Sequence, residues 1–408
     1  MAAVRPAAAA VALLAAFLAG CGHGDEQTKT LVIAVNAPFS KTPALGETIA
    51  RGVELAASNS SGIRAGGAAY RIEVKRYDNA LSPRRAVENV RKAVRDGAVA
   101  IVDEGTGVDA SWPIARDAGV PICIVYQGGI GLVDPERRPN VFRIAPTDRG
   151  IAFRLAEYLI PKRLRVALLV DDTGYGQEGE RALDKAFGEN PEAVAARIRI
   201  PANALDLSPQ VLRARRAGAT ALLVWAQPAS IAAALTAARS AGWSVPVYTP
   251  PSGESPLVRQ QLADHPRWVD GLTFATGRMT AELGPQSFLA FERLYESVYG
   301  ADRVGVETKA GQAVIQPPDE AMYGYDFVNV LTAAIARAGT VDDGKKIVAA
   351  LEEVTVRGAN GDERGFNRRN HEGVVDDDIY FARFDDMIFR PVKDDPLSST
   401  LPVIEQAR

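Results

Sequence analysis

Two short apolar runs set close together constrain this chain more than any other feature. Between Val99 and Gly129 it reads VAIVDEGTGVDASWPIARDAGVPICIVYQGG. The runs Val99–Val102 and Val120–Val125 are β-branched and free of charge, the pattern of strands buried on both faces of a parallel sheet. Each stops at residues that cannot continue a strand, Gly105-Thr106-Gly107 and Gly128-Gly129. An amphipathic stretch of helical length separates them. Two loops therefore leave the carboxyl edge of one sheet side by side, and open α/β sheets bind ligands at that edge. The expectation is a chain built around a cleft that binds rather than catalyses.

The same beat runs along the chain. Leu31–Pro38 reads as a strand, followed by a loop at Phe39–Gly46 and a helix at Glu47–Ser58. Ala68–Asn79 alternates as a strand, and Ser82-Pro83 opens a helix that reaches Gly97. Val141–Asp148 is an extended piece that reads as the first passage between domains. The pattern then restarts. Strands fall at Leu164–Asp172, up to Asn203, and at Ala219–Pro228, Ser244–Pro251 and Gly271–Thr276, with helices between them. Helices at Gln286–Tyr299, Ala321–Ala338 and Lys345–Leu351 follow, with a polar segment at Gly300–Pro318. Two β-like pieces close the chain. A length of 408 residues suits two domains. The expected fold is α/β, with two Rossmann-like lobes, each a parallel sheet flanked by helices, joined by a three-strand hinge. Lobe 1 takes residues 30–147 and 276–373, lobe 2 takes 148–275 and 374–395, and 396–408 is a tail.

Residues 1–20 read as a signal peptide, with Arg5 as the positive region and Ala7–Leu18 as an apolar core too short for a comfortable membrane span. Leu18-Ala19-Gly20-Cys21 resembles the bacterial lipobox, and residues 21–29 form a polar tether. The alternative is an ordinary signal peptide with a chance cysteine. Lipidation of Cys21 would anchor the protein to a membrane, in the periplasm or at the cell surface. Gly22 in place of Asp favours the outer membrane by resemblance to sorting signals. The other cysteine, Cys123, falls in a buried strand, so no internal disulfide is expected.

Other chemistry is excluded piece by piece. With a net charge of −3 and no basic run, nothing supports nucleic-acid binding. The three histidines, His23, His265 and His371, stand in polar segments without metal-ligand spacing. Gly174-Tyr175-Gly176-Gln177-Glu178-Gly179 is a GxGxxG, but no acid ends the next strand, and Asp171-Asp172 put negative charge where a pyrophosphate would sit. It reads as a tight turn. The carboxylate pairs Asp103-Glu104 and Asp171-Asp172, and the run Asp376–Asp378, read as solvated loop edges. No enzyme activity, cofactor or metal is expected.

Several local motifs, in order, resemble the type I periplasmic binding proteins, in particular the Leu/Ile/Val-binding solute-binding family. They are YDNALSPRRAVENVRKAV (Tyr77–Val94), RDAGVPI (Arg116–Ile122), VDDTGYGQEG (Val170–Gly179), DLSPQVLRARRAGATALLVW (Asp206–Trp225) and YGYDFVNVLTAAI (Tyr323–Ile335). The likeness spans roughly 30–390. It implies two lobes that close on a small solute by hinge motion, acting as a monomer that delivers its cargo to the permease subunits of an ABC importer.

By position, the resemblance implies ligand-binding residues Glu104, Gly105, Thr106, Tyr126, Gln127 and Gly128 in lobe 1. In lobe 2 it implies Tyr175, Gln227, Ser252 and Glu254, with Tyr126, Tyr175 and Trp225 as apolar walls. The chain also departs from the family. Gly105-Thr106-Gly107 and Tyr126–Gly129 replace Ser/Thr-rich loops and an A-x-T. Pro251 stands where an acid holds an α-ammonium, with Glu254 three residues on as a substitute. The solute is thus a small polar organic molecule, such as an amino acid, an amide or a related compound. The alternative function is a ligand sensor or assembly partner without transport.

Overall fold

The computed structural model describes residues 28–60, 62–202, 204–277 and 287–400. The signal peptide, Cys21, most of the tether, Asn203 as a strand end, the helix start at Gln286 and the last eight residues of the tail lie outside the described residues.

The first lobe begins with β1 (Lys29–Ala37), α1 (Pro43–Asn59), β2 (Ile63–Ala65), β3 (Ala68–Asp78), α2 (Pro83–Arg95), β4 (Ala98–Asp103), α3 (Val108–Asp117), β5 (Ile122–Ile124) and β6 (Val141–Arg143). The sheet order is β2-β3-β1-β4-β5-β6, parallel except for the short edge strand β2. Pro43 sits in the first turn of α1, where its missing N–H costs nothing, so the helix starts inside the expected loop Phe39–Gly46. Ser82 caps α2, its hydroxyl accepting the Arg85 N–H.

The second lobe comprises α4 (Asp148–Leu159), β7 (Val166–Asp171), α5 (Gly174–Ala186), β8 (Val194–Ile200), α6 (Ser208–Arg216), β9 (Ala221–Trp225), α7 (Pro228–Ser240), β10 (Val247–Thr249), α8 (Pro256–Gln261) and β11 (Leu272–Thr276). The chain then forms α9 (Ser287–Tyr299), the hairpin β12 (Arg303–Glu307) and β13 (Ala313–Ile315), α10 (Asp319–Ala338), α11 (Gly344–Leu351), β14 (Thr355–Arg357) and β15 (Glu363–Gly365). It ends with β16 (Tyr380–Asp385) and β17 (Ile388–Pro391). The second sheet has the order β17-β16-β11-β10-β9-β7-β8, in which β16 alone runs against the other strands. In each sheet the order reverses at one strand, β1 in the first and β7 in the second. The crevice outside a switch point is where such sheets take ligands. α10 returns to the first lobe and packs along α1; Gly52 meets the α10 backbone so closely that a Cβ would lie 1.9 Å from the Ala321 carbonyl oxygen. No described helix is long and apolar enough to cross a membrane.

The chain passes between the sheets after β6, after β11 and before β16. The first and third passages pair. Arg143 N–H donates to the His371 carbonyl at 2.9 Å, and Gly373 N–H donates to the Arg143 carbonyl at 2.7 Å. His371 is wholly buried, stacked on Phe142, with Nδ1 2.9 Å from the Val141 carbonyl. It is therefore not the exposed residue its polar neighbours suggest; packing of the third passage on the first encloses it.

A buried ion network holds the passages to the first lobe. Arg364, fully buried, faces Asp326 of α10 at 3.2 Å, Asp378 at 3.3 Å and Asp362 at 3.5 Å. Asn360 reaches the second passage, its amide donating to the Gly277 carbonyl at 3.2 Å. Asp378 accepts the Val375 N–H of the third at 3.1 Å, so the end of the Asp376–Asp378 run is not a solvated edge. Burial pushes Asp326 and Asp378 up to about 6 despite Arg364. Three carboxylates around one guanidinium make Arg364 indispensable, because an uncompensated buried charge costs about 3–5 kcal/mol. Arg364→Met is expected to lower unfolding stability by roughly that amount at pH 8 and by less at pH 5, where the carboxylates take up protons. Urea unfolding at the two pH values measures this, and an equal loss at both would contradict it.

Candidate functional site

At both switch points a buried carboxylate ties the two flanking strands together. In the first lobe Asn36 on β1 stands opposite Asp103 on β4, and its amide donates to Asp103 at 2.7 Å. The other Asp103 oxygen accepts the Gly105 N–H at 2.7 Å. In the second lobe Asp171 at the end of β7 accepts the Gln227 N–H, just beyond β9, at 2.9 Å. It also accepts the Thr173 N–H at 3.1 Å. Asp103, Glu104 and Asp171 are buried, contrary to the solvated edge their loop positions imply, because each is taken up by its own loop. Burial, with Glu104 alongside, pushes Asp103 up to about 8.

Glu104 stitches the two first-lobe loops to each other. Its carboxylate accepts from the Asn79 amide at 2.9 Å, the Thr106 N–H at 3.0 Å and the Gln127 amide at 3.3 Å. The same Gln127 nitrogen lies 3.1 Å from the Thr106 hydroxyl. Glu104, Gly105, Thr106 and Gln127 thus form one hydrogen-bonded platform. Burial raises the Glu104 pKa, while the donors around it act in the opposite direction.

Two tyrosines come from opposite lobes. Tyr126 follows β5, and Tyr175 stands in the first turn of α5. Their rings are partly exposed, but their hydroxyls lie deep. Burial raises both pKa values, Asp148 adds to both, and Tyr126 acts on Tyr175. Glu320, Glu104 and Asp319 also act on Tyr126. The Tyr175 hydroxyl is 3.5 Å from the Ser252 hydroxyl, within the second-lobe loop that also carries Glu254. Glu254 is buried and accepts from the Gln316 amide at 3.2 Å. Gln227 caps the start of α7 and is partly exposed. Trp225 is fully buried rather than a wall. Its ring lies beneath Gly179, where a Cβ would come within 2.4 Å of it, with Tyr175 at 5.8 Å between ring centroids. That packing explains the GxGxxG: its last glycine seats α5 on β9.

Asp148, missed in the sequence, joins this group. It is the first residue of α4, directly after the first passage, and is 3% exposed. Its backbone N–H donates to the Gly128 carbonyl at 2.9 Å. A Cβ on Gly128 would lie 2.6 Å from the Asp148 Oδ1, so the carboxylate fills the space that a side chain at 128 would take. Among the described residues no side chain or N–H donates to that carboxylate. Burial pushes it up to about 7. Arg143 acts in the opposite direction, but Arg143 is held 2.7 Å from Glu372 and donates to the Gln127 and Gly129 carbonyls. The available signal was topological: a segment passing between two lobes must line the cleft between them. No group of three or more His, Cys, Asp and Glu among the described residues is placed to hold a metal ion.

Comparison with known proteins agrees with this architecture. The profile of the family described as "Periplasmic binding protein" matches residues 31–387. Leu/Ile/Val-binding protein homolog 3 of Brucella melitensis is 25% identical over 349 residues, covering 83% of this chain and 87% of the relative. A periplasmic binding protein type 1 from Bordetella pertussis superposes with a TM-score of 0.75 at 22% identity, covering 90% of this chain and 99% of the other. A Rhodopseudomonas palustris solute-binding protein, solved with 4-hydroxybenzoate, gives 0.72 at 18% identity, covering 89% and 95%.

The Asp148 carboxylate carries a pH signature of its own. Its pKa rises from 3.8 to about 7 on folding, so its contribution to stability is complete below pH 4 and is lost as pH rises through 7. Between those limits the stability of the ligand-free protein relative to Asp148→Asn is expected to fall by a few kcal/mol, at about 1.4 kcal/mol per pH unit. Parallel stability curves for the two proteins would show that Asp148 titrates normally.

Proposed function

The chain belongs to the periplasmic binding protein family, and from that premise we propose that it captures a small organic solute bearing a protonated amine in its interlobe cleft. The family's members are solute-binding proteins rather than enzymes, and the family implies an extracytoplasmic location. The supporting observation is Asp148, a buried carboxylate to which no described residue donates, near enough to the Tyr126 and Tyr175 hydroxyls, one from each lobe, to act on both. An ammonium group supplies a counter-charge to the ionised Asp148 carboxylate. The tyrosine rings supply apolar area and a favourable face for a cation. Arg143 is spent on Glu372, so among the described residues a solute whose only charge is a carboxylate would meet Asp148 without Arg143 to offset it. The charge requirement favours an amine or amino acid over an aromatic acid of the kind bound by the Rhodopseudomonas protein. Lobe closure would bring Tyr175 and Ser252 onto a solute seated on the Glu104–Gln127 platform. In this reading the protein is held at the membrane through lipid on Cys21, acts as a monomer and hands its cargo to an ABC importer.

Thermal unfolding of the mature protein with leucine, glutamine, benzylamine, choline and 4-hydroxybenzoate tests this. A bound amine at 100 times its dissociation constant adds about 2.7 kcal/mol, and Asp148→Asn should abolish that gain. Binding should strengthen as pH rises through 7, where Asp148 ionises. Stabilisation by 4-hydroxybenzoate alone would overturn the charge assignment. No shift across the panel would turn the reading toward an assembly partner without transport.

A further inference from the structure

The hairpin β12–β13 does not follow the lobe of its neighbours. The helices on either side, α9 and α10, pack on α1 of the first lobe, and the sequence places the whole segment there. Yet β12 alternates, with Val304 and Val306 buried and Arg303, Gly305 and Glu307 exposed, and its packing partner is α8 of the second lobe. The hairpin base stays on the first lobe. Asp302 accepts from Arg51 of α1 at 2.9 Å and from the Tyr295 hydroxyl of α9 at 2.9 Å. The Gln316 N–H closes the base on the Asp302 carbonyl at 2.7 Å. Toward the tip, the Lys309 N–H donates to Asp386, in the β16–β17 turn, at 3.3 Å. Arg259 of α8 reaches the Ile315 carbonyl at 3.4 Å and the Gln316 side chain, which in turn donates to Glu254.

We propose that this hairpin is a strap between the lobes. Residues 300–302 and 316–318 are two further chain passages beside the three of the hinge. The apolar face of the strap is seated on lobe 2 and its base is pinned to lobe 1, so the cleft cannot open by rotation at the three passages alone. Opening requires the Val304–Val306 face to leave α8 or the Asp302 base to leave Arg51. Pro317 and Pro318 limit how far the base can bend, because proline fixes φ. Such a device biases the ligand-free protein toward a narrow cleft. Through Gln316 it also couples the position of the strap to the loop of Ser252 and Glu254. Interfaces of this kind have discrete packed and unpacked states rather than a continuum.

Spin labels at Arg84→Cys on α2 and Arg213→Cys on α6, with Cys21→Ser to leave no other accessible thiol, report the interlobe distance without any ligand. The wild-type strap should give one narrow distance distribution. Val304→Ser with Val306→Ser, which frees the strap from α8, should add a second and longer distance. Asp302→Ala, which frees the base, should do the same and stands as the test if the valine variant fails to fold. An unchanged distribution in a folded variant of either kind would overturn the proposal. So would a wild-type distribution already as broad as those of the variants.

Discussion

The structure depends on how two parallel sheets end at their carboxyl edges. There the strands must give way to loops, and the loop N–H groups need partners that are not other strands. Both lobes meet this need with a carboxylate at the switch point: Asp103 bridges β4 to Asn36 of β1, and Asp171 bridges β7 to the N–H beyond β9. Burying a carboxylate is costly unless donors surround it or a proton neutralises it. Asp171 has donors from its own loop and from the next. Asp103 has fewer and is pushed up to about 8, so much of it is neutral near pH 7. The outcome is the same in both lobes: the loops at the carboxyl edge are held by the strands and not by one another alone.

On that foundation the polar groups at the carboxyl edges differ in how fully other side chains satisfy them. Glu104, Thr106 and Gln127 are mutually satisfied, so they shape the floor. Tyr126 and Asp148 have no such partners among the described residues, and Tyr175 has only the Ser252 hydroxyl at 3.5 Å. Gly128 links the two sets. By carrying no side chain it leaves room for Asp148, so the departure from an A-x-T loop is matched by an acid from another part of the chain. The Arg364 network does for the passages what Asp103 and Asp171 do for the loops, joining α10 to the second and third passages through one buried guanidinium.

Much of this was legible in residue order. Charge-free β-branched runs ending in glycine identify buried parallel strands, and the Ser-Pro pair before α2 marks its start. The two-lobed fold follows from a beat that stops and restarts. The less legible parts share one cause. The hairpin β12–β13 reads as a polar segment because β12 alternates between residues that face water and residues that bury against α8, some 50 residues earlier. Trp225 looked like a cleft wall because its strand ends at the site, but alternation along β9 turns it under Gly179 instead.

The sequence by itself determined the fold class, the location of the cleft and the loops that border it, because hydrophobic period and glycine punctuation are local properties. It also determined that these loops depart from an amino-acid pattern. Only the tertiary structure decided which polar groups at those loops have partners among the described residues. Glu104 and Gln127 look available in the sequence and are spent on each other, whereas Asp148 looks like an ordinary helix start and is a buried carboxylate to which no described residue donates. Partner satisfaction depends on which side chains the two lobes bring within hydrogen-bond distance, and residues 104, 128, 148 and 175 meet only when both sheets and the passage between them are in place.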